Sequence, residues 1–288
     1  MEKKNKHILV PVDFSEISLV ALDQSCNMAE TVSADVTILV VIESHSIDIR
    51  EVASELRTKV DELVAKTRIE RPNLKIKSLI ETGKVYQKII ETSEILNVDF
   101  IIMGTNGSKQ PWRKKVLLGS NALRVVRVST CPVITIKGVN VKKGCDKIVL
   151  PLDLSEESRE KVNPAIELAH YFKAEIHICT VIDSNDSFII NKLESQVAQV
   201  EKFIKDEGVN CHVKILKGYQ VGKTFADTIL NFADSIDADL IVIMSQEELG
   251  FTGMFLGKTA QEIIHSSEIP VCSIGPETHD DQYSFTPY

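Results

Sequence analysis

The feature that most constrains this chain is that it repeats itself. His7-Ile8-Leu9-Val10-Pro11-Val12-Asp13-Phe14-Ser15 matches Lys147-Ile148-Val149-Leu150-Pro151-Leu152-Asp153-Leu154-Ser155 at a constant offset of 140. The same offset carries Ala29 to Ala169, Ala34 to Ala174, and Val41-Ile42 to Val181-Ile182. It also carries Val98-Asp99-Phe100-Ile101-Ile102 to Ala238-Asp239-Leu240-Ile241-Val242, and Cys131-Pro132-Val133 resembles Ile269-Pro270-Val271. Shared residues at fixed spacing mean a tandem duplication, with the boundary near Val141-Lys142-Lys143-Gly144. Each copy has the length of one domain and can bury its own core. The expected division is a first domain over 1–140, a second over 141–276 and an extension over 277–288. Thr278 to Tyr283 has no periodicity, and is either loose or laid across the other domain.

Within each copy, short apolar runs alternate with amphipathic stretches. In the first, residues 7–12, Val36–Ile42, Leu74–Ile80, Val98–Met103 and Pro132–Ile136 read as buried strands. Between them, helices are expected over Ser18–Ser33, over Ile47–Arg68, from Gly83-Lys84 to near Asn97, and over Asn121–Arg127. Leu19, Leu22, Cys26 and Ala29 mark one side of the first helix. Strands alternating with helices imply a parallel sheet covered on both faces. The expected fold class is α/β: two tandem doubly wound domains, each a five-stranded, mostly parallel sheet with helices on both faces.

The formal net charge of -8 argues against general nucleic-acid binding. No apolar run approaches the ~20 residues needed to span a bilayer, and the charged start Met1 to His7 is unlike a secretory signal. A cytoplasmic location is expected. The six cysteines form no C-x-x-C pair and no His cluster accompanies them, so they read as small hydrophobes in a reducing compartment. No metal site is expected. No nucleophile–base pairing emerges either, and no catalytic residue is assigned.

The stretch Gly104 to Ser120 reads as a glycine loop between a strand and a helix. Gly104 and Gly107 allow sharp turns and close approach to a ligand. Gly119 and Ser120 stand where the next helix begins, and the amides and dipole of a helix start favour an anion. Together this is a phosphate cradle in outline, or else a tight turn with no ligand. Asp13 falls at the carboxyl end of the first strand, where open α/β sheets bind ligands at a switch point; a helix N-cap or turn is the other use of an Asp there. Lys109, Arg113, Lys114 and Lys115, then Arg124 and Arg127, add positive charge beside the loop; they suit a triphosphate or a solvated face. Trp112, the only tryptophan, has three open uses: stacking on a base, covering the site, or packing on the other domain.

Val10-Pro11-Val12-Asp13-Phe14-Ser15, the glycine loop and Ser129-Thr130-Cys131-Pro132-Val133 together resemble the universal stress protein family. Nucleotide-binding members of that family carry Gly, two residues, Gly, nine residues, then Gly-Ser or Gly-Thr. Here eleven residues separate Gly107 from Gly119, an insertion of two around Gln110-Pro111-Trp112. The resemblance implies binding of ATP or a related adenine nucleotide, with Mg if bound, in stress adaptation. It places that binding in the first domain, on Pro11, Val12, Asp13, Val41, Met103, Gly104, Thr105, Gly107, Gly119, Ser120 and Asn121. Asp13 falls on the residue that contacts the nucleoside, and Val41 on one lining the adenine pocket. Family members lacking the motif make a nucleotide-free scaffold, acting through protein contacts, the alternative. A slow ATPase is a third reading, without a visible base. The resemblance also implies that the two halves pack through their last strands, bringing Ile134 and Ile136 towards Val271 and Ser273, with a homodimer as a further arrangement.

Two segments imitate a P-loop. Gly222-Lys223-Thr224 and Gly257-Lys258-Thr259 would each need an earlier glycine where Lys217 and Thr252 stand, and both fail. The second copy is expected to have lost the glycine loop. Aligned directly, Met244 and Glu247 replace Gly104 and Gly107; with one extra strand residue, Ser245 and Glu248 do.

Overall fold

The computed structural model describes residues 6–43, 49–105, 119–138, 142–152, 161–182, 184–217, 224–245 and 257–275. The chain divides into two units, Met1–Lys143 and Gly144–Tyr288. The first holds, in order, β1 (His7–Pro11), α1 (Glu16–Val32), β2 (Asp35–Ile42), α2 (Ile49–Glu70), β3 (Ile76–Thr82), α3 (Val85–Ile95), β4 (Phe100–Gly104), α4 (Ser120–Val128) and β5 (Val133–Ile136). The second holds β6 (Lys147–Pro151), α5 (Val162–Phe172), β7 (Glu175–Ile182), α6 (Ser187–Asp206), β8 (Cys211–Lys217), α7 (Phe225–Ser235), β9 (Leu240–Met244), α8 (Lys258–Ser266) and β10 (Val271–Ile274).

Strands of the first unit lie in the order β3-β2-β1-β4-β5, all parallel. Those of the second lie in the order β8-β7-β6-β9-β10, again parallel. Each unit is a doubly wound α/β sheet with helices on both faces. That arrangement explains the strand composition. Ile8, Leu9, Val36, Ile38, Leu39, Ile101 and Ile134 have no exposed surface, because helices cover the sheet above and below.

The residues shared between the copies have local jobs. Ala29 and Ala34 are joined by the hydrogen bond that ends α1: the Ala34 N–H donates to the Ala29 carbonyl at 2.9 Å, around Ser33 at φ 58°. The Ala174 N–H donates to Ala169 at the same 2.9 Å, around Lys173 at φ 58°. Small buried side chains permit this tight exit into the next strand. Asp99 and Asp239 lie before β4 and β9, outside the strands in which the sequence places Asp99. The Asp99 carboxylate accepts the His7 N–H at 2.8 Å, and that of Asp239 accepts the Lys147 N–H at 2.9 Å. Each clips its strand to the start of the first strand of its unit.

One expected core residue moves outward. Leu19 is 37% exposed, while Ser18, Ala21, Leu22, Gln24, Ser25, Cys26, Met28 and Ala29 are buried. The inner face of α1 is thus centred on small residues, which let the helix lie close to the sheet, and Leu19 falls beyond its rim. All six cysteines are free thiols, five of them buried. Burial pushes the Cys26, Cys179 and Cys211 thiols up to about 12. Cys131, expected among the buried ones, is only half-buried and belongs to a turn in which the Ser129 hydroxyl donates to its carbonyl at 2.7 Å.

Candidate functional site

The order of strands in the first unit places β1 between β2 and β4, so the chain winds outward in opposite directions from the β1–β4 pair. The crevice outside the carboxyl ends of these strands is the switch point where such sheets take ligands. Pro11, Val12 and Asp13 leave the end of β1, Val41 lies one residue from the end of β2, and Met103, Gly104 and Thr105 leave β4. Gly119, Ser120 and Asn121 begin α4. The structure gathers ten of the eleven expected residues at this end of the unit. Gly107 lies outside the described residues, as do Lys109, Trp112, Arg113, Lys114 and Lys115.

Val12 is buried and donates its N–H to the Leu39 carbonyl at 2.8 Å, continuing the sheet pairing one residue past β1. Asp13 then turns outward, and Phe14 takes φ 59°. The Asp13 carboxylate accepts from the Ser15 N–H at 3.0 Å and from the Ser15 hydroxyl at 2.5 Å. Ser15 in turn caps α1, its hydroxyl oxygen accepting the Ser18 N–H at 3.3 Å. Asp13 therefore supports the cap rather than forming it, and its carboxylate stays exposed at the crevice.

Gly104 has a packing role that spacing does not reveal. A Cβ placed there would meet the Ile17 Cγ2 at 2.7 Å and the Ile17 backbone carbon at 3.1 Å. The first turn of α1 thus rests on β4 at the one position without a side chain. Thr105 is buried, and its N–H donates to the Ile136 carbonyl at 2.9 Å. Its own carbonyl accepts the Gly119 N–H at 2.7 Å. This bond brings the start of α4 directly beside the end of β4. The Gly119 amide is therefore engaged, not open to an anion as the sequence suggests. What faces outward is the first turn of α4, whose cap residue Gly119 brings no side chain to its amides, with Ser120 exposed. Of the basic residues expected here, Arg124 sits over the Tyr86 ring of α3, 5.0 Å from its centroid. That contact ties α4 to α3.

The second unit answers the alignment left open by its sequence. Met244 pairs with Ile274 as Gly104 pairs with Ile136, and the Ser245 N–H donates to Ile274 at 2.7 Å as that of Thr105 does to Ile136. Met244, not Ser245, occupies the position of Gly104. Gly257 keeps the N-cap geometry of Gly119, with φ −55° and ψ 148° against −57° and 142°. Asp153, Glu247 and Glu248 lie outside the described residues. Thr224, the end of the first P-loop imitation, closes a capping box: its hydroxyl oxygen accepts the Asp227 N–H at 3.2 Å, and the Asp227 carboxylate accepts the Thr224 N–H at 2.8 Å. A carboxylate already sits where a phosphate would have to stand.

One group of ligand-type side chains escaped the sequence reading. Glu175, His177 and His212 converge at the amino ends of β7 and β8. They lie on two separate strands, so no spacing motif announces them.

A tandem pair of doubly wound units, each with a crevice at its β1–β4 or β6–β9 pair, defines the class. The sequence profile of the universal stress protein family matches residues 4–137 and again 144–274. The chain belongs to that family, as a tandem two-domain member. Two universal stress proteins of Methanocaldococcus jannaschii are 31% and 30% identical to it over 139 and 158 residues. These matches cover 43% and 47% of this chain, and 79% and 96% of the relatives. A universal stress protein from Archaeoglobus fulgidus has a crystal structure similar along almost the whole length. Its TM-score is 0.75 at 25% identity, covering 94% of this chain and 99% of that one. No helix among the described residues is long and apolar enough to cross a membrane.

Proposed function

We propose that the first unit binds an adenine nucleotide, ATP by the family resemblance and with Mg if bound, and that the protein acts through this binding in stress adaptation. The observation that carries the reading is the Gly119–Thr105 hydrogen bond. It holds the start of α4, whose N-cap Gly119 has no side chain, against the end of β4, at the same sheet end as the exposed Asp13. The anchor is independent of what the intervening loop contains. Two added residues in a surface loop change closure entropy by well under ~1 kcal/mol, so the insertion leaves the cradle's ends in place. In the proposed mode, the amides at the start of α4 receive the phosphates. Asp13 accepts hydrogen bonds from the ribose, Val41 lines the base, and Gly107 completes the loop.

One observation favours the scaffold reading. Gly104 is needed by Ile17 whether or not a ligand is present, and Asp13 supports the Ser15 cap. Their presence alone is therefore weaker testimony for a nucleotide than the motif suggests. Calorimetry of ATP with the full chain separates the two. Binding in the micromolar to millimolar range, abolished in Gly119→Val, is expected; no heat at millimolar ATP makes the scaffold reading the better one. No residue is assigned a catalytic role.

A further inference from the structure

We propose that Glu175, His177 and His212 form a binding site for a divalent transition-metal ion of the zinc, nickel or copper type in the second unit. His177 on β7 and His212 on β8 stand directly opposite each other in the parallel register. Glu175 lies two residues before His177, and so projects from the same face of the sheet. Its carboxylate reaches both rings: Oε1 is 2.8 Å from His177 Nε2, and Oε2 is 3.5 Å from His212 Nε2. The rings are stacked, with centroids 5.0 Å apart and planes at 28°. One ligand atom from each residue lies within 4.8 Å of the others.

A tetrahedral zinc ion bound at about 2.0–2.1 Å by nitrogen and oxygen requires donors roughly 3.4 Å apart. The present spacing, from 2.8 Å to at most 4.8 Å, brackets that value. The donor chemistry selects the ion. Two imidazoles and one carboxylate suit zinc, nickel or copper, whereas magnesium and calcium want oxygen ligands. Exposure grades from 15% at the His177 side chain through 31% at Glu175 to 61% at His212. The group is thus anchored on one side and open to water on the other, which leaves a fourth position for a solvent ligand.

The duplication supplies an internal contrast. In the first unit Asp35 and Thr37 stand at the positions of Glu175 and His177, and Lys77 pairs with Thr37 as His212 pairs with His177. Thr37 is hydrogen-bonded to the His7 ring at 2.7 Å. A hydroxyl and an ammonium cannot replace two imidazoles as ligands, so only the second unit carries the site. Both strands belong to one unit, so the ion would link β8 to β7 without involving the nucleotide crevice.

The test is titration of untagged full-length protein with Zn2+ by calorimetry, with Co2+ absorption as a second readout. One ion per chain is expected, with tetrahedral Co2+ bands. His212→Lys, which installs the residue type of the first unit at an exposed position, should weaken binding by about 10-fold or more. Glu175→Gln should weaken it too, with an unchanged circular dichroism spectrum. Absence of binding to the wild-type chain overturns the proposal, as does binding that neither variant weakens.

Discussion

Gly104 shows how packing alone can hold a position that a motif assigns to a ligand. Its missing side chain is the space that Ile17 fills, and the same absence lets β4 run on into the cradle. Gly104→Ala puts a methyl group 2.7 Å from the Ile17 Cγ2, against a backbone that is itself only 3.1 Å away. The first turn of α1 must then lift from the sheet, which costs about 1–3 kcal/mol as overpacking does elsewhere. Denaturant unfolding should show that loss even without nucleotide. An unchanged midpoint would mean that the glycine answers to a ligand alone. Asp13 is similar in kind: it accepts two hydrogen bonds from Ser15 and remains exposed beside the crevice.

At the scale of elements, the start of α1 is the point where packing and site meet. Ser15 caps the helix, Asp13 braces Ser15, and the Ser18 hydroxyl donates back to the Ser15 carbonyl at 2.9 Å. Removing the cap by Ser15→Ala should destabilise the chain by ~1 kcal/mol. It also frees the Asp13 carboxylate from its brace, so nucleotide affinity should fall along with the unfolding midpoint. Measuring both on one variant tests the coupling: lost stability with unchanged affinity would separate the cap from the site. The start of α7 makes the opposite use of the same chemistry. There Thr224 and Asp227 satisfy each other, and the helix end has no amides to offer from that pair.

For the whole molecule, the duplication yields two units of one fold that differ at the position of Gly104. Gly257 reproduces the helix start of Gly119, yet Met244 stands in register where the first unit has Gly104. Equilibrium dialysis should find at most one nucleotide per chain, and Asp13→Ala should remove it. Two equivalents bound would show that the second unit tolerates Met244. The metal site has the reverse asymmetry, its histidines belonging to the second unit alone.

The fold class and the duplication were legible in the sequence, and so was the sheet end at which the expected residues that the structure describes lie. Each follows from information local to the chain. Buried parallel strands demand continuous apolar runs, helices demand a longer period, and a duplicated gene repeats both at a fixed offset. Motif residues follow their strands, so Asp13, Val41 and Gly104 were placed once the strands were. What the tertiary structure alone decided concerns contacts between residues far apart in the chain. Ile17 gives Gly104 its packing reason, Thr105 takes the Gly119 amide, and register assigns Met244 rather than Ser245 to the degenerate position. His177 meets His212 only because β7 and β8 pair in that register. Spacing along a chain records which face a side chain shares with its near neighbours, and cannot record which residue of another element it will touch.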